Sequence, residues 1–381
     1  MIKKRIGHVT FHYFPVVGGQ EVYIKNLLRV FEENGFDNII YQPMSSKANL
    51  FTKGIDKKIK FILTIPVLNR FIKDFKKFSF SCFLLIRIFS LYKDDVIIVH
   101  YAFHSWPLLC FKKKIIVLSH GVEWDIRYNS LSDKLHFIIA QKTFNSFTLV
   151  VNDSHYLRTL SLNISPGVGF FSEVSNKKWF IPNCVSNIKF HPLGERYNHS
   201  DDRDFILVPR QITVDRGIDL AIQTFSIISA KYKTLDLVII GAVKDTSYKK
   251  MCDNLIDELN LRGRVVWNHN VNNDDIPKYY RSAILTLIPT LRREGTSLSA
   301  LEAMSCKCPV VSTNVAGLAD LPTVQANPEK EALANAIDEC IKYRSKYSEE
   351  QFKKVNTIFN EENWANAWCS VVNSLEIKNL A

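Results

Sequence analysis

Short β-branched apolar runs alternate with helix-periodic segments along this chain, and they do so twice, on either side of a polar break. Parallel sheets flanked by helices accommodate that alternation, because a parallel strand is buried on both faces and reaches its neighbour only through a crossover. In the first half the runs are RIGHVTF, NIIYQ, DVIIVHY, KIIVLSH and SFTLVVND, ending with KWFIPN. Between the first two lies GGQEVYIKNLLRVFEENGF, whose Val22, Leu27, Leu28 and Phe31 recur at helical spacing, with Gly35 placed to end the helix. The stretch from Gly194 to Asp204, GERYNHSDDRD, then breaks the pattern and reads as a linker. After it the alternation restarts with FILVPR, LDLVIIGA, RVVWN, ILTLIPT and PVVSTN, each separated by a helical pattern. At 381 residues the chain exceeds the usual size of a single core. The reading is α/β with two doubly wound domains, 1–193 and 205–354, joined by a linker at 194–204. A helix over about 355–381 is expected to pack back on the first domain.

Charge separates the halves. Residues 1–190 hold 26 Lys and Arg against 13 Asp and Glu, whereas residues 191–381 hold 23 against 25, so the net charge of +11 belongs to the first half. Residues 51–93 alone carry ten basic and two acidic side chains, interleaved with aromatics in KKIKFILTIPVLNRFIKDFKKFSFSCFLLIRIF. A basic, Phe-rich amphipathic stretch suits an anionic lipid surface, and solvated lysines on core helices are the plainer reading. Nucleic acid is disfavoured, since the chain has no helix-turn-helix, zinc-spacing or RNP-like signature. No apolar run reaches the roughly 18 residues a membrane span needs; Arg87 interrupts the best stretch, Phe78 to Tyr92. The start, MIKKRIGHVTFHYFP, lacks a cleavage signal, and eight scattered cysteines without CxxC pairs read as buried thiols rather than a metal site. These features point to the cytoplasm, with the basic stretch placing the protein peripherally on the inner face of the plasma membrane.

Ligands of doubly wound sheets gather at the carboxyl ends of the strands. Gly18 and Gly19 follow the first strand and open the first helix, where backbone amides favour a close, negatively charged ligand. A tight turn needing glycine is the alternative; neither a GxGxxG fingerprint nor a Walker lysine is present. His120 ends KIIVLSH and is followed by GVEWD, a place for a substrate contact or for a structural histidine; His100 and His104 share that ambiguity. Arg210 closes FILVPR and Arg216 precedes Gly217, and two guanidinium forks suit a diphosphate. In REGTSLSALEAMSCKCPVVSTNVAG, Glu294 and Gly295 sit in a loop and the amides of Thr296, Ser297 and Leu298 cluster at a helix start. Glu302 lies two helical turns beyond Glu294, on a similar face. A carboxylate that accepts two hydroxyls at once suits a vicinal diol, one glutamate for a sugar ring and the other for a ribose.

EGTSLSALEAM with PVVSTNVAGL resembles the E-x7-E motif of the retaining glycosyltransferases of family 4, whose fold is GT-B, two Rossmann-like doubly wound domains facing a cleft. The resemblance extends over most of the chain, through YFPVVGGQE, SHGVEWD, FIPNCV and PRQITVDRGIDLAIQTF. It implies that Glu294 contacts the donor sugar and Glu302 the ribose, that Arg210 and Arg216 clamp the diphosphate, and that the amides of Gly295 to Leu298 hold sugar and phosphate. It further implies that Gly18 and Gly19 complete the phosphate and acceptor side and that His120 reaches the donor sugar. The chain departs from the family in having Pro209 where Gly is usual, Arg216 six residues after Arg210 where Lys five residues on is usual, and GTSL where GFGL is usual. Arg292 and Arg293 flank the site.

The expected activity is retaining transfer from a uridine or guanosine diphosphate (UDP or GDP) sugar, without an obligatory metal or other cofactor. Fixed cations and helix-end amides would stabilise the departing diphosphate. The basic first domain fits a lipid-linked or saccharide acceptor in surface polysaccharide or lipopolysaccharide assembly. Two rivals are a nucleotide-sugar epimerase of the same fold and a non-catalytic protein that docks on a membrane or partner.

Overall fold

A computed structural model describes residues 4–13, 19–44, 58–65, 75–111, 114–122, 130–162, 171–199 and 203–377. The chain divides into two compact units, one formed by the residues up to Pro182 together with those from Trp364 onward, the other by Asn183–Asn363.

The first unit is built on an eight-stranded sheet: β1 (Arg5–Val9), β2 (Asp37–Pro43), β3 (Ile59–Ile62), β4 (Val96–His100), β5 (Lys114–Ser119), β6 (Thr148–Val151), β7 (Ser172–Ser175) and β8 (Lys178–Phe180). Their order is β3-β2-β1-β4-β5-β6-β8-β7, and every pair is parallel except β7 with β8. β4 is buried along its whole length and β5 in all but its first residue, which is why their sequences are continuous apolar runs. Helix α1 (Gly19–Glu33) buries Tyr23, Ile24, Leu27, Leu28, Val30 and Phe31. Val22, expected on that face, is 39% exposed, because the face that meets the sheet starts one residue later. Gly35 ends the helix with φ +84, and the Phe36 amide donates back to the Phe31 carbonyl at 2.9 Å. The helix Glu361–Ile377 places Trp364 and Trp368 in this core: the Trp368 Nε1 donates to the Tyr23 hydroxyl at 3.0 Å, and Trp364 meets the Tyr23 ring edge-on.

The basic Phe-rich stretch folds, where described, into strand β3, helix α2 (Phe75–Leu84) and short helical turns to Leu91. Phe80 and Leu84 enter the core, whereas Leu63, Leu85, Ile86 and Phe89 stay exposed, Phe89 by 82%. Strand β3 was not expected, because IKFI carries a lysine and pairs only along one edge of the sheet.

The second unit holds a six-stranded, wholly parallel sheet: β9 (Asp204–Pro209), β10 (Leu235–Ile240), β11 (Val265–Asn268), β12 (Leu285–Ile288), β13 (Val310–Thr313) and β14 (Val324–Ala326), in the order β11-β10-β9-β12-β13-β14. Both sheets therefore reverse strand order beside their first strand, between β1 and β4 and between β9 and β12. Residues 194–199, read as linker, lie against the helix Ile276–Ser282: Arg281 donates to the carbonyls of His191, Leu193 and Glu195, and Tyr197 stacks on Tyr279 with ring centroids 4.0 Å apart.

Candidate functional site

The reversal between β9 and β12 leaves a gap at the carboxyl end of the second sheet, the usual ligand position in such folds. Arg210 stands at the tip of β9, its amide bonded to the Ile240 carbonyl at 2.9 Å. Gly241, at φ +148, lies so close that a Cβ there would sit 2.2 Å from the Arg210 carbonyl oxygen, so only glycine lets the two strand ends approach. The Arg210 side chain is 7% exposed; its Nη2 donates to the Thr290 hydroxyl and to Glu294 Oε2, each at 2.6 Å, and its Nε is buried without a partner. Arg216 arrives from the turn Val214–Arg216 and also donates to Glu294 Oε2. That turn closes on Gly217 at φ +67, where a Cβ would meet the Pro289 carbonyl oxygen at 2.0 Å, and the Leu291 amide bonds to the Asp215 carbonyl at 3.0 Å. The six-residue spacing between the arginines thus still brings both to one carboxylate. Burial lowers the guanidinium pKa of Arg210 to about 10 and, with the added repulsion of Arg210, that of Arg216 to about 9. Both stay charged at neutral pH, and Glu294 partly neutralises them.

Gly295 follows Glu294, and Thr296 and Ser297 are buried as the chain enters the helix Leu298–Ser305. Ser297 occupies the N-cap position, but its hydroxyl caps nothing and is buried without a partner. The first-turn amides of this helix have no carbonyl within it to bond, which leaves donors directed out of its end. Glu302 accepts a hydrogen bond from the Tyr280 hydroxyl at 3.0 Å. Burial raises its carboxyl pKa to about 7, with Tyr280 and Lys189 pulling the other way. Glu294 and Glu302 do not share a helical face: Glu294 belongs to the loop and only Glu302 to the helix. Arg292 turns toward Asp215, 3.8 Å away, while Arg293 contributes its carbonyl to Arg216 at 3.3 Å.

Three residues here escaped the sequence reading. Thr290 holds Arg210, Tyr280 holds Glu302, and the Asn183 amide donates to the Thr296 carbonyl while its Oδ1 is buried without a partner. FIPNCV contains Asn183, yet its contact is 113 positions away, beyond any local pattern. Among the described residues no three His, Cys, Asp or Glu side chains are grouped as metal ligands.

His120 and Gly19 belong to the first unit; Gly18 lies outside the described residues. Gly19 opens α1. The His120 ring stacks on His100 at 5.8 Å and meets Tyr23 edge-on at 5.0 Å, and its Nε2 is buried without a partner. Burial lowers its pKa to about 3, so the ring is neutral. Behind it the hydrogen-bond network assigns a tautomer chain. Asn38 donates through Nδ2 to the Leu28 carbonyl, so its Oδ1 accepts from His8 Nε2 at 3.1 Å; His8 Nδ1 then accepts from His100 Nε2 at 3.2 Å. His100 is left with a bare, buried Nδ1 lone pair. His104 is placed elsewhere, its Nδ1 2.8 Å from the Ser81 hydroxyl.

Residues 193–355 match the family model described as glycosyl transferases group 1. An uncharacterized glycosyltransferase of Methanocaldococcus jannaschii is 25% identical over 325 residues, covering 81% of this chain and 79% of its own. Among solved structures, sucrose-phosphate synthase from Thermosynechococcus elongatus superposes with a TM-score of 0.80 at 18% identity, covering 99% of this chain and 100% of its own. Anabaena HepE in complex with UDP and glucose gives 0.72 at 12% identity, covering 97% and 100%. The chain is a glycosyltransferase of the GT-B fold, and its residues 193–355 match the model of the glycosyl transferases group 1.

Proposed function

We propose that this enzyme transfers a sugar, with retention of anomeric configuration, from a nucleoside diphosphate sugar to a saccharide or lipid-linked acceptor in surface polysaccharide assembly. The observation that carries the donor reading is the convergence of Arg210 and Arg216 on Glu294 at the strand reversal of the second sheet. Two guanidinium groups and a helix N-terminus form a fixed electropositive surface for the diphosphate, and fixed dipoles need not reorganise as the leaving group gains charge. Glu294, held between the arginines, is then positioned to exchange an arginine for sugar hydroxyls when phosphate arrives. Glu302 receives the ribose diol in its ionised form, and the Tyr280 hydroxyl keeps its carboxylate oriented. UDP is the favoured nucleotide, because the structurally similar HepE was solved with UDP and glucose. The acceptor reading rests on the basic first half and on the exposed Leu85, Ile86 and Phe89 beside Arg87 and Lys93, a combination suited to an anionic membrane surface at the inner leaflet.

Thermal stabilisation by a panel of UDP and GDP sugars, in wild type and Glu302→Ala, tests the donor assignment, since ligand binding to the native state raises its apparent stability. A selective shift that Glu302→Ala abolishes is expected. No shift with any donor in folded protein refutes it, and product analysis separates transfer from epimerisation.

A further inference from the structure

The loop that leads from Glu294 into the helix Leu298–Ser305 is held by its carbonyls. The Glu294 carbonyl accepts from the Gly317 amide at 3.0 Å, and the Thr296 carbonyl accepts from Asn183 Nδ2. A trans peptide group is planar, so a carbonyl and the amide that follows it point to opposite sides. Fixing the Glu294 carbonyl therefore aims the Gly295 amide, and fixing the Thr296 carbonyl aims the Ser297 amide. An N-cap serine ordinarily gives its hydroxyl oxygen to a first-turn amide, whereas the Ser297 hydroxyl caps nothing. Neither restraint on the loop draws on an amide of residues 295–298, the donors that the resemblance assigns to sugar and phosphate. Gly295 leaves the backbone permissive at this point, so the peptide needs a restraint from outside the loop.

Asn183 is itself fixed. It is the first residue of the second unit and is 7% exposed. Two residues on, the Val185 amide donates to the Phe359 carbonyl at 2.9 Å, and Val185 pairs with Asn360 as an isolated bridge. At the far end of the same segment the Phe190 carbonyl accepts from the Ser305 hydroxyl at 2.7 Å, and the Phe190 ring lies 6.2 Å from that of Tyr280, the partner of Glu302. Residues 183–190 thus hold the helix Leu298–Ser305 at its entry and at its last residue. The Asn183 Oδ1 is buried without a partner, a cost that an apolar side chain of this size would avoid, so the amide that meets Thr296 is what the position requires.

We infer that Asn183 is a positioning residue for the donor: by holding the Thr296 carbonyl it sets the direction of the Ser297 amide before the diphosphate arrives, without touching the substrate itself. The inference rests on the donor reading and adds to it a residue outside the motif. Removing the restraint leaves Arg210, Arg216 and Glu294 unchanged but frees the Thr296–Ser297 peptide to turn. A turned peptide presents a carbonyl to the phosphate oxygens, so a dipole that was fixed in the favourable sense becomes repulsive.

Calorimetric titration of the full chain with UDP and uridine, and with GDP and guanosine as the matched pair, provides the test. Wild type is expected to bind one of the diphosphates. Asn183→Ala should weaken that diphosphate roughly tenfold or more, the worth of one hydrogen bond to a charged group, and its nucleoside by less than about twofold. Asn183→Asp, close in shape but with a carboxylate in place of the donating amide, should show the same selective loss at neutral pH. Hydrogen exchange on wild type gives an answer that needs no variant to fold: the bound diphosphate, and not the nucleoside, should slow exchange at residues 295–298. A purely structural role for Asn183 would weaken diphosphate and nucleoside alike. That result, unchanged diphosphate binding in Asn183→Ala, or a bound diphosphate that leaves exchange at 295–298 unaltered overturns the inference while the donor reading stands. Failure of wild type to bind either diphosphate strikes the donor reading, and the inference falls with it.

Discussion

Replacing Glu302 by Gln separates the cost of holding this carboxylate from its use. The folded-state pKa is about 7, against an ordinary 4.5, because burial opposes ionisation. A raised folded pKa means that the native state holds the proton more tightly, so the associated stability is fully present below pH 4.5 and is lost as pH rises through 7. The rise from 4.5 to about 7 corresponds to roughly 3 kcal/mol, at about 1.36 kcal/mol for each pH unit. Glutamine never ionises and still accepts from the Tyr280 hydroxyl. Urea unfolding of Glu302→Gln and wild type should therefore give similar stabilities near pH 4.5 and a difference approaching 3 kcal/mol in favour of the variant at pH 8.5. In the same variant, donor affinity should fall at least tenfold at pH 8, because charge-assisted hydrogen bonds to the ribose diol are lost, each worth about 1.5–3 kcal/mol. Wild-type donor affinity should itself decline below pH 7, since binding then has to expel a proton. A stability difference independent of pH would refute the argument, as would a variant that binds donor as wild type does.

Other consequences follow from the same geometry. Glu294→Gln removes the carboxylate that competes with phosphate for Arg210 and Arg216, so a nucleoside diphosphate without sugar should bind at least about fivefold more tightly, ~1 kcal/mol, while sugar transfer falls; equal or weaker binding by calorimetry would contradict the competition. Gly217→Ala places a methyl group 2.0 Å from the Pro289 carbonyl oxygen at a positive φ, and should lower stability by about 2 kcal/mol or more in urea titration together with diphosphate affinity. Phe89→Glu should abolish co-sedimentation with phosphatidylglycerol vesicles at moderate salt without changing UDP stabilisation; wild type that ignores such vesicles would remove the membrane reading.

The strands that build both sheets were legible because parallel strands buried on two faces must be apolar along most of their length, as VIIVH and LDLVII are, each with a single polar residue. The edges were not: IKFI of β3 lies within the basic, Phe-rich stretch that reads as lipid-facing or helical, and SEVS of β7 is largely polar and half exposed, like a loop. In the site, the motif placed Arg210, Glu294 and Glu302 on the right elements. It did not show that Gly217 turns the chain so that Arg216 meets Glu294, and although it placed Glu294 in the loop it also gave that residue a helical face in common with Glu302, which a loop residue does not have. Asn183, Thr290 and Tyr280 were invisible for another reason, since each acts through a partner that only the tertiary fold supplies. The histidine chain of His8, His100 and Asn38 spans three strands, and no spacing in sequence announces it.

The helix carrying Trp364 and Trp368 follows the whole second unit in the chain, yet its indoles fill the core of the first. On the ribosome, where chains emerge at about 5–20 residues per second, the second unit is contiguous and can close as soon as it is made. The first unit waits through more than 180 further residues with the Tyr23 and Phe31 side of α1 uncovered. Synthesis order and folding order are therefore inverted in this protein: the half that is translated first is the half completed last, and that bare helix face is the surface a chaperone would be expected to hold in the interval.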